Sequence, residues 1–237
     1  MDNAIYATLS RQSGLMQEMQ AVANNISNLS TSGFRREGVI FSEHVKALEG
    51  DESLSMAYAH GRNVSLAQGP LTQTGGSFDF AIEGEGFFLI ETPQGNQLTR
   101  AGSFSANPEG ELVTPDGHRL LDSGGAPVFA PSDAGPITLA PDGTLSAGAT
   151  PLAQVGIYLP ADPTGLIHTG GTRFTAEAGV TPAEGATLLQ GFIEESNVDP
   201  VAEIARMIEV QRAYEMGQTF LDREDERIRS VISTLSR

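Results

Sequence analysis

The sequence predicts an α+β fold, with a long helix at each end and a central all-β domain of short antiparallel strands. Three observations predict it. Apolar residues near both ends recur at three-then-four spacing. The middle is punctuated at short intervals by Gly, Pro, Asp and Asn. No helix-length periodicity occurs between residues 69 and 195. The first pattern marks amphipathic helices and the second marks strands joined by tight turns.

The C-terminal segment, Val201 to Leu235, has no Pro and one interior Gly, Gly217. Its series runs Met207, Val210, Tyr214, Gly217, Leu221, Ile228, Val231 and Leu235, and only Glu224 breaks it. A mean spacing of about 3.5 makes a narrow seam of the coiled-coil kind, not a broad face laid on a globule. Asn197, Asp199 and Pro200 supply capping oxygens and a preset φ just before it. At ~1.5 Å per residue the helix would run ~50 Å, so its seam needs a long partner.

That partner lies at the other end. Asp2 to Leu29 carries Ile5, Leu15, Met19, Val22, Ile26 and Leu29 on one series, with Thr8 and Gln12 in its gaps. Asp2 or Asn3 can cap it. Gly14 weakens it by roughly 1 kcal/mol relative to Ala. The opposite face holds Gln17, Gln20, Asn24, Asn25 and Asn28. Such amides suit contact with other protein, because no charge is desolvated; compositional drift explains them as economically. An isolated helix pair is weakly stable, so both ends are expected to be loose in the single chain and ordered by assembly.

The first helix ends at Ser30-Thr31-Ser32-Gly33, and Phe34-Arg35-Arg36 follows. These three could dock on a neighbour, or serve as a local Phe contact with cations near the helix C-terminus. The β texture starts at Gly69. Strand candidates are Phe78–Ile82, Gly86–Ile90, Leu98–Phe104, Glu111–Thr114, His118–Leu121, Gln154–Leu159, a short stretch at Phe174, and Leu188–Ile193. Pro115-Asp116-Gly117 and Pro141-Asp142-Gly143 are turns by their chemistry. The expected division is an N-terminal helix over 1–30, a partly ordered connector over 31–68, a β domain over 69–195 and a C-terminal helical segment over 196–237.

Composition excludes several roles. The 237 residues carry 30 acidic against 14 basic side chains, a net charge of −16, with the excess concentrated between residues 101 and 200. A nucleic-acid partner is not expected, because phosphate contacts need a basic face. With no Cys there is no disulfide and no thiolate metal site. No apolar run reaches the ~18 residues of a membrane span, and no cleavable secretion signal is visible at the N-terminus.

Chemistry is sparse. His44, His60, His118 and His168 are scattered, without metal-ligand spacing. Gly84-Glu85-Gly86 starts like a dinucleotide loop but continues as a strand. Glu83 and Glu85 could form a carboxylate pair, as could Glu194-Glu195, although surface charge explains them more simply. Asn25-Ile26-Ser27 and Asn63-Val64-Ser65 match glycosylation sequons, which arise by chance. No catalytic, cofactor-binding or metal residue is assigned, no cofactor or small-molecule substrate is expected, and the chain reads as a non-enzyme.

Five separated blocks carry a family resemblance. Val22 to Arg36, with Asn24, Asn25, Asn28, Thr31, Gly33 and Phe34, resembles the N-terminal signature of bacterial flagellar axial proteins, the rod and hook family. Ser27 and Arg35 replace its usual Ala and Lys. Gly69–Gly75 with Phe78–Phe88, Leu98–Phe104 and Leu112–Gly117 are similar to its central motifs. Glu195–Val198, with Asn197, and Met207–Glu215, with Gln211, Arg212, Ala213 and Tyr214, are similar to its C-terminal ones. The opening Met1–Tyr6 and the length resemble the proximal-rod branch more than the distal-rod branch.

The resemblance implies a structural subunit of the flagellar basal-body rod, the drive shaft between motor and hook that motility needs. It implies uncleaved delivery by the flagellar type III export apparatus into a rod spanning the periplasm. Partners would be copies of the chain and other proximal and distal rod subunits. Terminal helices would form an inner coiled-coil layer. Phe41 and Val45 fit a short export signal of early rod and hook substrates. The rivals are a distal-rod or other axial subunit, a periplasmic carbohydrate-active enzyme, and a generic self-associating helical adaptor.

Overall fold

The computed structural model describes residues 2–48, 51–131 and 135–235, and the side chains described exclude those of residues 2–4 and 42–60. The chain divides into two units. A helical unit comprises Met1–Ser27, Glu37–Asn63 and Asp199–Arg237, and a β unit comprises Asn28–Arg36 and Val64–Val198.

In the helical unit, α1 spans Asp2–Ser27 and α2 spans Pro200–Leu235. Asp199 caps α2: its Oδ1 accepts the amides of Val201 at 2.9 Å and Ala202 at 3.1 Å. This satisfies two of the amides that a helix start leaves unpaired. The helices run antiparallel. Asn25 meets Glu203, Glu18 meets Arg206, and Gln12 meets the carbonyl of Tyr214. At ~1.5 Å per residue α1 is ~39 Å long and α2 ~54 Å, so α2 outruns its partner by ~15 Å.

The stretch expected as a partly ordered connector contains two strands. Glu37–Leu48 forms β1, Asp51–Val64 forms β2, and they pair in a two-stranded sheet. Small and polar residues blur any alternation there. β1 also explains Gly14. A Cβ at that position would sit 2.7 Å from the Phe41 ring, so the ring occupies the space a larger residue would need.

The β unit is antiparallel in every pairing given by its registers. Its largest sheet centres on Phe87–Thr92, which pairs with Gly95–Thr99 on one side and Arg119–Leu120 on the other. Arg173–Ala176 and Leu166–Gly170 extend it past Gly95–Thr99, while Leu112–Val113 and Ser105–Ala106 extend it past Arg119–Leu120. Ile157–Pro160 pairs with both Phe87–Thr92 and Val180–Pro182. Ile137–Leu139, Thr144–Ala147 and Thr150–Gln154 make a three-stranded sheet. Two further pairs join Phe80–Glu83 to Thr187–Gln190, and Leu71–Gln73 to Phe192–Glu194.

One core gathers Phe80, Phe88, Leu112, Leu120, Val128 and Leu145, and a second gathers Phe87, Leu98, Leu121 and Phe174. Both expected Pro-Asp-Gly turns form, with φ of 83° at Gly117 and 89° at Gly143, the left-handed region that favours glycine. The run Leu98–Phe104 is not one strand: pairing stops at Thr99. At Gly102 the Phe80 carbonyl oxygen lies 1.7 Å from where a Cβ would stand, so backbone replaces side chain there. Among the described residues the only helical turn between 69 and 195 is Pro163–Gly165.

Candidate assembly surface

The seam series of α1 and α2 meets within the helical unit over part of its length. Leu15, Val22 and Val210 are buried, and Met19, Ile26, Met207, Tyr214 and Leu221 are half-buried. The covered stripe of α2 runs Glu203, Met207, Val210, Tyr214, Gly217, Leu221 and Glu224. From Asp225 every described side chain of α2 is exposed, because α1 has run out. Ile228, Val231 and Leu235 keep the seam spacing but are 40%, 52% and 82% exposed. Leu29, expected on the α1 series, lies past the end of α1 at Ser27 and falls in the β unit.

Polar side chains occupy the covered interface, and this the sequence reading missed. Asn25 is 0% exposed. Its Nδ2 donates to the Glu37 carbonyl at 2.8 Å and to Glu203 Oε2 at 3.1 Å, and its Oδ1 accepts the Glu37 amide at 2.9 Å. One amide therefore ties α1, β1 and α2 together. The expectation that Asn25 faces another subunit is corrected, because its bonding capacity is used inside the chain. Gln17 and Gln20 remain exposed. Glu18 accepts from Arg206 Nε at 2.7 Å, and this bond raises the Arg206 guanidinium above its ordinary value. Gln12 donates to the Tyr214 carbonyl at 3.3 Å.

The remaining motif residues have structural partners. In the β unit Thr31 donates to Asn28 Oδ1 at 3.1 Å. Gly33 has φ of 73°, and a Cβ there would lie 2.2 Å from the Ala101 amide nitrogen, so only glycine fits. Asn197 accepts the Arg36 amide at 2.6 Å and donates to the Ala67 carbonyl at 2.7 Å. On α2 Gln211 and Arg212 are exposed, whereas Ala213 and Tyr214 are half-buried. Phe41 packs beside Gly14, and the side chain of Val45 lies outside those described.

Phe34 and Arg35 are each 1% exposed, so they do not form the external docking point that was one expectation. Phe34 meets His168 edge-on with ring centroids 6.0 Å apart. Arg35 and Arg100 both pair with the buried Glu194, at 3.0 and 2.9 Å. Glu194 also accepts the Gly69 amide at 2.8 Å. Burial lowers the Arg35 guanidinium, and Glu194 opposes it. Burial brings Arg100 down to about 10, again against Glu194. Glu83 and Glu85 are both exposed, and Glu83 accepts from Thr187 Oγ1 at 3.3 Å.

Two stretches match known families. Residues 189–234 match the family described as "Flagellar basal body rod FlgEFG protein C-terminal", and residues 81–147 match "Flagellar hook protein FlgE/F/G D1 domain". The chain is 39% identical to the flagellar basal-body rod protein FlgF of Caulobacter vibrioides, over 100% of this chain and 99% of that protein. It is 32% identical to FlgF of Rhizobium meliloti, over 99% and 98%. It is 30% identical to the rod protein FlgG of Bacillus subtilis, over 98% and 99%. These matches run through both terminal helices and the β unit alike, and the chain therefore belongs to the flagellar basal-body rod protein family, where it is FlgF-like.

Proposed function

We propose that this rod subunit, structural and not enzymatic, enters the proximal rod by burying the unpartnered part of its terminal seam against copies of itself and other rod subunits. The observation that carries the reading is the surplus of α2 over α1. Ile228, Val231, Ile232 and Leu235 are exposed on a helix whose own partner has ended. Fully burying such a side chain contributes ~1.5–3 kcal/mol, and repeating head-to-tail contacts build a helical assembly from one kind of chain. In the rod this seam would continue as a coiled coil between chains. Delivery by the flagellar type III apparatus, uncleaved, into a rod spanning the periplasm belongs to the same reading. So does recognition of the Phe41–Val45 segment before folding, since Phe41 is packed beside Gly14 afterwards.

The test is the double substitution Val231→Asp with Leu235→Asp, introduced into the chromosomal copy. The expected outcome is loss of rod incorporation and motility, with the secreted chain still detectable and the melting of the purified chain unchanged. A working rod containing the double variant would remove the seam from the account.

A further inference from the structure

The buried ionic cluster of the β unit carries one more positive than negative charge. Arg35 and Arg100 are 1% and 2% exposed, and the carboxylate between them, Glu194, is 1% exposed. Glu194 is fully engaged by both guanidiniums and by the Gly69 amide. Three of the four terminal nitrogens of the arginines donate hydrogen bonds as well. Arg35 Nη1 donates to the Ala67 carbonyl, Arg100 Nη1 to the Ile82 carbonyl at 3.0 Å, and Arg100 Nη2 to the Gly84 carbonyl. What remains without a hydrogen-bond acceptor among the described residues is the buried Nε on each side chain, together with Arg35 Nη2, which has only its 3.0 Å ion pair with Glu194. An ionised donor left in that condition is costly, so a compensating acceptor is strongly favoured.

Both arginines line one small cavity of about 20 Å³, with Leu66, Gly86, Phe87 and Leu159 as its apolar walls and the exposed Glu85 also lining it. The Phe87 ring is already used, since it faces the Arg100 guanidinium carbon at 5.7 Å from its centroid. A space this small holds one particle of about water size. Sulfate, phosphate and carboxylate ligands are too large. A cation is repelled by the excess positive charge. A single compact anion there would offer an acceptor to the unpartnered guanidinium nitrogens and neutralise the cluster in one step.

We propose that this cavity is a monovalent halide site, formed by the Nε groups of Arg35 and Arg100 and walled by Phe87, Gly86, Leu66 and Leu159. Chloride is the occupant of matching size and charge. The site locks the segment that follows α1, the Glu194 strand and the loop at Arg100 into one arrangement within the β unit.

Thermal melting of the purified full-length chain tests it, in sodium chloride or bromide against sodium gluconate at equal ionic strength. Bromide-soaked crystals measured at the bromine absorption edge are the second readout. The expected result is a melting temperature that rises and saturates with halide but not with gluconate, and an anomalous peak between the two arginines. Glu85→Gln removes a neighbouring negative charge, so it should lower the half-saturating halide concentration several-fold. Equal melting in all three salts with no bromide peak would mean that water fills the cavity, and the proposal falls. A Glu85→Gln variant that loses stability equally in every salt would identify the Glu85 carboxylate as the acceptor, which also overturns it.

Discussion

The β unit and the helical unit both bury polar groups, but they do so for different ends. In the β unit, Arg35, Glu194 and Arg100 sit beside cores in which Phe80, Phe88, Leu112, Leu120 and Leu145 are fully buried. The ionic cluster there stitches together a unit that already has enough apolar burial to stand. In the helical unit the buried apolar side chains of the helices are few among the described residues: Leu15, Ala21, Val22 and Val210. Gln12, Glu18, Asn25 and Glu203 share the interface with them. A seam whose buried positions are half polar specifies register more than it supplies stability. The β unit is thus complete in one chain, whereas the helices are aligned in one chain and left partly uncovered.

The largest expected effect lies in the β unit. Glu194→Gln leaves two buried guanidiniums without their counterion, and breaking a buried pair in this way costs ~3–5 kcal/mol. Urea unfolding of the purified variant should show a much lower midpoint with an unchanged slope. A loss below ~1 kcal/mol would mean that the cluster is solvated and that the two units do not differ as argued. Next comes Asn25→Ala in the helical unit. It removes the partner of the Glu37 backbone and one acceptor contact of Glu203. Leaving a buried group unsatisfied costs ~1–3 kcal/mol. The measurement that sharpens the comparison is hydrogen exchange: protection should fall along α1 and α2 while the β unit keeps its own.

How much of this was legible in the sequence follows from the kind of interaction involved. Helices, Pro-Asp-Gly turns and the strand at Phe87–Thr92 are written locally, in periodicity and turn chemistry, and were readable to within a few residues. β1 and β2 were not, because small and polar residues hide the alternation on which strand reading depends. The seam series runs through Leu15, Val22 and Val210, which are buried, yet it placed Leu29 on α1, because apolar spacing continues past the point where the helix stops. Asn25 and Glu203 are 178 positions apart in sequence, and nothing local reveals that they meet. Likewise the sequence left Arg35 open, either as a docking cation or as part of a local contact with Phe34 near the end of α1. Only its partner Glu194, on a strand far along the chain, makes it a buried one.

The smallest expected effect is the one that separates the two halves of α2. Val210 is 2% exposed and Val231 is 52% exposed, on the same helix and with the same side chain. Val210→Ser strips apolar surface from a covered position and leaves a hydroxyl needing a partner, so it should cost the purified chain ~2 kcal/mol or more. Val231→Ser removes nothing that the single chain has buried deeply. Ser and Val differ little in helix propensity, so the change should fall within about 0.5 kcal/mol, as surface substitutions do. The same Val231 substitution should still weaken assembly in cells, because its partner is another subunit. Matching melting curves for Val231→Ser and the parent, together with reduced rod incorporation, would place the stabilising contact of that residue between chains. A clear loss of melting temperature in the purified variant would instead mean that the tail of α2 is already covered in the isolated protein, and the contrast between a complete β unit and an unfinished helical one would have to be redrawn.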